Sequence, residues 1–267
     1  MSPEQTTMTV PKLVAMKAAR EKITMLTAYD FPTARLVDEA GIDVILIGDS
    51  LGTVVQGRPN TLPVSLDEMI YHTEMVSRAA SRALVVADMP FPTFPAGVCK
   101  AVEDAACILK KTQCHAVKVE GGEDRVDLIK AIVSAGIPVM GHIGLLPQRV
   151  HQLGGYAVQR NREKLLADAQ AVEQAGAFAI VLECVPAEHA REVTAAVAIP
   201  TIGIGAGPDC DGQVLVFHDL LGMTSGYVPR HVKVYVDLGR AIGDAVSQYR
   251  EDVRSGQFPT DSQAFRE

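Results

Sequence analysis

The order of apolar and polar residues repeats along the chain. A stretch with helical periodicity leads to an Ala-Gly pair, and a short apolar run follows it. The pair occurs at Ala40-Gly41, Ala135-Gly136 and Ala175-Gly176. Glycine commonly ends helices because it adopts the left-handed conformation easily, and a short run rich in β-branched residues is typical of a buried strand. The repeat therefore predicts helices that alternate with strands.

Further runs of both kinds extend the pattern over most of the chain. Strands are predicted at 23–29, 43–50, 83–88, 115–120, 137–142, 177–183, 199–205 and 213–217. Helices are predicted at 31–40, 65–80, 98–112, 123–135, 161–175 and 187–197, with a long one within 231–251. Ser65 and Glu68 have the spacing of a capping box, and Pro186 stands where the helix over 187–197 begins.

The alternation predicts parallel βαβ units within one α/β domain. With 267 residues and eight strands, each unit has roughly 33 residues, which suits a (β/α)8 TIM barrel. A doubly wound open sheet is the alternative fold. We expect the barrel to occupy 12–251 as a single catalytic domain, with polar tails at 1–11 and 252–267.

Composition narrows the class of partner. The chain has 25 Lys and Arg against 32 Asp and Glu, a net charge of −7, and 48% hydrophobic residues. These values exclude disorder for most of the chain, and the lack of a basic cluster argues against nucleic acid and anionic membrane as partners. No apolar run approaches the roughly 20 residues of a membrane span, and Met1–Lys12 has no signal-peptide core. Five cysteines without CxxC spacing are typical of reduced thiols, so we expect a cytoplasmic protein.

Polar residues close the apolar runs. Both candidate folds place the ligand site at the carboxyl ends of the strands, so these residues are the candidate site. They are Tyr29, Asp30, Asp49, Ser50, Asp88, Lys118, Glu120, His142 and Glu183. Carboxylates packed together repel one another, so the cluster calls for a cation, and all-oxygen ligands favour Mg²⁺ over zinc. Because Mg²⁺ takes few protein carboxylates, a substrate with two adjacent oxygens, such as a 2-oxo acid, would complete its coordination.

Each candidate also has a purely structural explanation. Asp49, Ser50 and Asp88 are residue types that cap turns and helices. Lys118 and Glu120 stand two apart on one face of a strand, where they would satisfy each other. A histidine at 142 would suit a hydrogen-bonded core position, and a glutamate at 183 a solvated loop. The glycine-rich segment 203–213 resembles a phosphate-binding loop but lacks the usual spacing, so its glycines would equally serve a tight turn.

Several strings together resemble one family. They run in order from residue 23 to residue 216: ITMLTAYD, GDSLGTVVQG, LVVADMPF, AVKVEGG, IPVMGHIGL, GAFAIVLECVPAE and IPTIGIGAGPDCDGQVLV. The chain is similar in these strings to the 3-methyl-2-oxobutanoate hydroxymethyltransferase (ketopantoate hydroxymethyltransferase) family. The resemblance implies a (β/α)8 barrel that assembles as a homodecamer, binds Mg²⁺ and uses 5,10-methylenetetrahydrofolate as one-carbon donor.

The resemblance also implies roles for single residues. Asp49, Asp88 and Glu120 would be the metal-site acids, and Glu183 the proton-abstracting base. Ser50, with Asp49, Asp88 and Lys118, would hold the oxo acid, and we expect His142 and Tyr29 to line the same site. The implied reaction gives 2-dehydropantoate from 3-methyl-2-oxobutanoate through a magnesium-stabilised enolate, as the first step of pantothenate biosynthesis.

Other activities fit the same strand-end residues. A Mg²⁺-dependent lyase or mutase of phosphoenolpyruvate-type substrates would also chelate an oxo acid with strand-end carboxylates. An aldolase-like enzyme would use Lys118 as a Schiff-base nucleophile. A barrel that only binds a partner is the non-enzymatic alternative, and loss of the strand-end acids would be expected there.

Overall fold

Parallel strands close into a barrel in the computed structural model, which describes residues 7–91, 97–224 and 226–266. Within these residues the eight strands are β1 Ile23–Thr27, β2 Val44–Ile47, β3 Leu84–Asp88, β4 Ala116–Glu120, β5 Val139–Gly144, β6 Ala179–Glu183, β7 Thr201–Ile204 and β8 Gly212–Leu215. Each strand pairs with the next in chain order, and β8 pairs with β1, Val214 opposite Met25. This closing pair excludes the open sheet and confirms the predicted (β/α)8 barrel.

Helices follow most strands, as the repeat predicts. Their bounds are α1 Val10–Ala19, α2 Phe31–Glu39, α3 Leu51–Val54, α4 Leu66–Ala79, α5 Val98–Thr112, α6 Val126–Ser134, α7 Val150–Leu153, α8 Arg162–Gln174, α9 Ala187–Ala196, α10 Phe217–Leu220 and α11 Leu238–Ser255. Short 3-10 helices lie at Glu123–Arg125, Pro147–Arg149 and Asp261–Gln263. The capping box of α4 is present, with Ser65 and Glu68 each bonded to the other's backbone N–H, and Pro186 is the N-cap of α9.

Helix α1 lies partly in a segment predicted to be a polar tail. Thr9 caps it by accepting the N–H of Lys12, and Leu13 is fully buried among the side chains that fill the barrel. Lys17 donates to the carbonyls of Thr194 and Ile199, just before β7 begins. The helix therefore covers the end of the barrel at which the strands start, opposite to the ends that carry the predicted site.

The core consists of two layers of apolar side chains. Strand residues such as Val44, Leu46 and Val86 fill the barrel interior, and alternate residues such as Ile45 and Val85 pack outward against helices. The glycine-rich segment between β7 and β8 contains no helix. A Cβ on Gly212 would lie 2.5 Å from the carbonyl oxygen of Ile23, so glycine there permits the close pairing of β8 with β1.

The chain divides between Val216 and Phe217 into two compact units, and the first contains the whole barrel. The predicted domain over 12–251 spans this division, and the predicted tail at 252–267 begins inside α11. In the second unit, α11 exposes apolar side chains at helical spacing: Ile242, Val246, Tyr249 and Val253.

Two further expectations concern the whole chain. None of the helices in the described segments is long and apolar enough to cross a membrane. The five cysteines, all of which lie in described segments, form no disulfide.

Candidate active site

Side chains from five neighbouring strands meet in one cavity of about 120 Å³ at the carboxyl ends of the barrel strands. Seven of the predicted residues line it: Asp49, Ser50, Asp88, Lys118, Glu120, His142 and Glu183. The parallel register explains why they meet. Asp88 pairs with Lys118, and Glu120 pairs with His142, so adjacent strands bring these side chains to similar heights.

Two other strand-end residues lie outside this cavity wall. Asp30 caps α2 by accepting the N–H of Thr33, so it has the capping role that aspartates commonly have at helix starts. Tyr29, expected to line the site, is not among the described residues that line the cavity. Its hydroxyl lies 2.7 Å from the Ser50 hydroxyl, so it supports Ser50 from behind.

Asp88 and Lys118 form a buried ion pair. The Lys118 ammonium lies 2.7 Å from Asp88 Oδ1, and the backbone N–H of Asp49 donates to Asp88 Oδ2 at 2.9 Å. Both carboxylate oxygens of Asp88 are thus engaged. A Cβ on residue 48 would lie 2.6 Å from the hydroxyl of Ser50, so Gly48 leaves room for this turn at the end of β2.

The cavity carries more negative than positive charge. Burial, and then repulsion from Asp88, raises the pKa of Asp49 from 3.8 to about 7. Burial and the charge of Asp49 raise the pKa of Glu120 well above its usual range. Burial acts to lower the pKa of Lys118, but Asp88, Glu120 and Asp49 outweigh it and raise that pKa, so the lysine is held as a cation. One ammonium does not balance the carboxylates around it.

His142 links the lysine to Glu183. Its Nδ1 lies 3.0 Å from the Lys118 ammonium, and its Nε2 lies 3.2 Å from Glu183 Oε2. Burial and the charge of Lys118 lower the pKa of His142 well below its usual value, so the imidazole is neutral. An ammonium has only donors, hence Nδ1 accepts and the single ring proton is on Nε2, next to the Glu183 carboxylate.

Two features of the site were missed by the sequence reasoning. The first is Gln148, which is buried and hydrogen-bonded to Asp49 and Glu120. It stands in a loop after β5, and nothing in its sequence context marks it. The second is an apolar wall formed mainly by the last strands: Leu46, Pro147, Val181, Ile204, Val214, Leu215 and Val216. Apolar residues at the ends of β7 and β8 were interpreted only as parts of strands.

The donor set suits a hard divalent cation. Asp49, Asp88 and Glu120 supply only oxygens, and Glu120 Oε1 is buried without a hydrogen-bond partner among the described residues. His142 Nδ1 lies 3.6 Å from that oxygen, but it accepts from Lys118 and has no proton to donate. Within the described residues, no three His, Cys, Asp or Glu side chains are arranged as a complete set of metal ligands. Mg²⁺ fits this arrangement because it commonly takes one or two carboxylates and completes its shell with water and substrate oxygens.

The fold and the cavity define a TIM-barrel enzyme whose active site holds buried carboxylates, one lysine and one neutral histidine. Comparison with known proteins agrees with this class. The model of the ketopantoate hydroxymethyltransferase family matches residues 7–261. The chain belongs to this family.

Curated relatives match over nearly the full length. A 3-methyl-2-oxobutanoate hydroxymethyltransferase from Rhodopirellula baltica is 54% identical over 96% of this chain and 96% of its own. A protein of the same name from Moorella thermoacetica is 53% identical over 98% of this chain and 99% of its own.

Solved structures show the same fold at low identity. A 2,3-dimethylmalate lyase, a member of the PEP mutase/isocitrate lyase superfamily, has a TM-score of 0.59 at 19% identity, with 97% of this chain and 90% of that chain covered. Phosphoenolpyruvate phosphomutase from Streptomyces platensis subsp. rosaceus has a TM-score of 0.64 at 17% identity, with 93% and 88% covered. At such identity the likeness concerns the barrel alone.

Proposed function

We propose that the chain transfers a hydroxymethyl group from 5,10-methylenetetrahydrofolate to 3-methyl-2-oxobutanoate and so forms 2-dehydropantoate, the first step of pantothenate biosynthesis. The observation that carries the proposal is the two-sided cavity. Its charged half comes from the ends of β2 to β6, and its apolar half comes mainly from the ends of β6 to β8. A small branched 2-oxo acid has the same division, with two polar groups at one end and an isopropyl group at the other.

The charged half suits the carboxylate and oxo groups. Lys118 is a fixed cation, since Asp88 holds its ammonium at 2.7 Å. Ser50 supplies a hydroxyl that Tyr29 orients at 2.7 Å. Donors fixed in a buried cavity stabilise charge more strongly than donors in water, because they need no reorganisation as the charge develops. The negative charge that moves onto the oxo oxygen during proton removal would therefore be stabilised here.

The apolar half suits the isopropyl group. Ile204 and Val214 are aliphatic side chains that line the cavity without offering a polar partner. With a volume of about 120 Å³, the cavity has room for a short branched aliphatic chain. The apolar wall also keeps water away from the carbon that loses its proton, which strengthens the electrostatic interactions nearby.

Glu183 is the base in this proposal. It ends β6 at the border between the charged and the apolar half, and its side chain is 19% exposed. His142 Nε2, the ring nitrogen that carries the proton, lies 3.2 Å from Glu183 Oε2 and so stands beside the proposed base. We propose that Glu183 removes the proton from C3 of the oxo acid, after which C3 attacks the one-carbon unit of the folate.

Mg²⁺ is the proposed cofactor, and Asp49, Asp88 and Glu120 are the residues that would hold it. When bound, the ion supplies Lewis-acid stabilisation of the substrate oxygens. The orphan oxygen of Glu120 supports this assignment, because no donor of the described residues occupies it. The pKa values of Asp49 and Glu120, raised by burial and then by neighbouring carboxylates, support it as well, since a bound cation would stabilise their ionised forms.

We also propose a homo-oligomer, a decamer by resemblance, in the cytoplasm. The exposed apolar side chains of α11 support assembly, because burial of Ile242, Val246 and Tyr249 in an interface would remove apolar surface from water. The five free thiols support a reducing compartment. The mass in solution, measured by light scattering, tests the assembly.

Proton NMR tests the proposed reaction directly. The protein, Mg²⁺ and 3-methyl-2-oxobutanoate are mixed in D₂O, and the C3–H signal is followed over time. We expect its loss by exchange, and a hydroxymethyl product once methylenetetrahydrofolate is added. The absence of both the exchange and the product would refute the proposal.

The same reagents separate the rival activities. Cleavage of small acids without folate would favour a lyase. Activity that resists chelators, with borohydride trapping at Lys118, would favour a Schiff base.

A further inference from the structure

Gln148 is a buried glutamine in the loop that follows β5. It belongs to the 3-10 helix Pro147–Arg149 and is 7% exposed. Its side-chain Nε2 donates to Asp49 Oδ2 at 3.0 Å and to the carbonyl oxygen of Met89 at 2.9 Å. The loop thereby folds back over the ends of β2 and β3.

The two acceptors fix the orientation of the amide. The backbone carbonyl of Met89 can only accept, so the NH₂ group of Gln148 must face it, and the same NH₂ group then donates to Asp49. Each of its two hydrogen atoms has a partner. An apolar side chain of the same length would fill the space but would leave Asp49 Oδ2 and the Met89 carbonyl without these donors.

The backbone of the same residue holds a second carboxylate. The N–H of Gln148 donates to Glu120 Oε2 at 3.1 Å. One residue therefore contacts an acid that follows β2 and an acid at the end of β4, on either side of the Asp88–Lys118 pair. It occupies one oxygen of Glu120 and leaves the other, Oε1, as the buried atom without a partner.

We propose that Gln148 is a positioning residue for the Mg²⁺ and oxo-acid site. Its amide holds Asp49 and its backbone N–H holds Glu120, so that each acid turns one oxygen to the protein. The carboxylates are thus oriented before any ligand arrives, and their mutual repulsion is reduced. This inference rests on the proposed function, because it assigns Asp49 and Glu120 to that site.

A purely structural role would have a different signature. If Gln148 only anchored its loop to Met89, its loss would lower the unfolding temperature and leave the affinity of the folded protein unchanged. A residue that orients a metal ligand changes the affinity itself, by about 10–100-fold in known metal sites. Affinity measured on folded protein separates the two roles.

The test uses calorimetric titration of Mg²⁺ into the full-length protein with saturating 3-methyl-2-oxobutanoate. Gln148→Met removes both amide donors at nearly constant shape, and Gln148→Leu removes them with a different shape. Gln152→Leu is the matched control, since Gln152 is an exposed glutamine in the neighbouring helix α7. Circular dichroism and thermal unfolding establish that each protein is folded.

We expect the Kd for Mg²⁺ to rise by about 10–100-fold in Gln148→Met and to stay unchanged in Gln152→Leu. Gln148→Leu should show the same loss, and it replaces the first variant if that one does not fold. Wild-type affinity in a folded Gln148 variant overturns the inference but leaves the proposed function intact. If the wild type shows no Mg²⁺-dependent binding of the oxo acid, both the proposed function and this inference are refuted.

Discussion

The Lys118 ammonium lies 3.0 Å from Nδ1 of His142, and this contact decides which ring nitrogen carries the proton. Because the ammonium can only donate, the proton of the neutral ring is on Nε2, where Glu183 Oε2 lies 3.2 Å away. The ion pair of Lys118 with Asp88 thus extends its influence across the cavity. The lysine thereby sets which ring nitrogen is protonated beside the proposed base.

Glu183→Gln should abolish exchange of the C3 proton in D₂O and leave binding of the oxo acid nearly unchanged. The substitution keeps the shape of the side chain and removes its capacity to accept a proton. Proton NMR measures the exchange, and calorimetry measures the binding. Glu188→Gln, at an exposed position on α9, is the control and should exchange at the wild-type rate. Exchange at the wild-type rate in Glu183→Gln would assign the base elsewhere.

Lys118→Met should destabilise the protein by about 3–5 kcal/mol at pH 8, because it leaves Asp88 as a buried charge without its ion-pair partner. Denaturant unfolding measures the free energy. The exposed Lys130→Met serves as the control and should change little. A stability equal to that of the wild type would show that the pair contributes nothing net.

Ile204→Ala should alter substrate preference. The shorter side chain widens the apolar half of the cavity, so that kcat/KM for 3-methyl-2-oxobutanoate should fall on the order of 10-fold. A 2-oxo acid with one additional carbon in its branch should gain relative to it. Steady-state assays with both acids measure the ratio, and Leu36→Ala, at an exposed position of α2, is the control. An unchanged ratio would mean that this wall does not contact the alkyl group.

Without metal, the contribution of Asp49 to the stability of the protein should fall as the pH rises from about 4 to 7. Asp49 keeps its proton up to a pKa of about 7 in the folded state but only to about 3.8 when unfolded. The folded state therefore binds more protons between these values, and the free energy of unfolding decreases as the pH rises through them.

Thermal unfolding in chelator at several pH values measures this slope. Asp49→Asn should flatten it, whereas Asp67→Asn, at an exposed position of α4, should not. The same pH slope in Asp49→Asn and in the wild type would contradict the expectation.

Much of the fold and of the candidate site could be predicted locally. The Ala-Gly repeat marks helix ends, and the apolar runs mark strands that lie within one to three residues of the observed ones. The polar residues that close these runs meet because parallel strands bring their carboxyl ends to one side of a sheet. Tyr29 and Asp30 are the exceptions among them. Tyr29 contacts Ser50 but is absent from the described cavity wall, and Asp30 caps α2.

The roles of helix α1 and Gln148 could not be predicted from local sequence patterns. The apolar positions of α1 acquire their role only when Leu13 reaches the open end of a closed barrel. Gln148 and Asp49 are 99 residues apart in the chain, and no spacing rule connects them. Their contact depends on how the loop after β5 folds over the other strands.

The amino-acid sequence by itself determined the order of strands and helices and the set of polar residues at the strand ends, because periodicity and helix-end signals act over a few residues. Only the tertiary structure decided that β8 pairs with β1, that Lys118 pairs with Asp88 and contacts His142, and that one side of the cavity is apolar. These contacts join residues far apart in the chain. Their geometry follows from the closure of the barrel, in which each strand has two fixed neighbours and the inward-facing side chains at the strand ends share one small cavity.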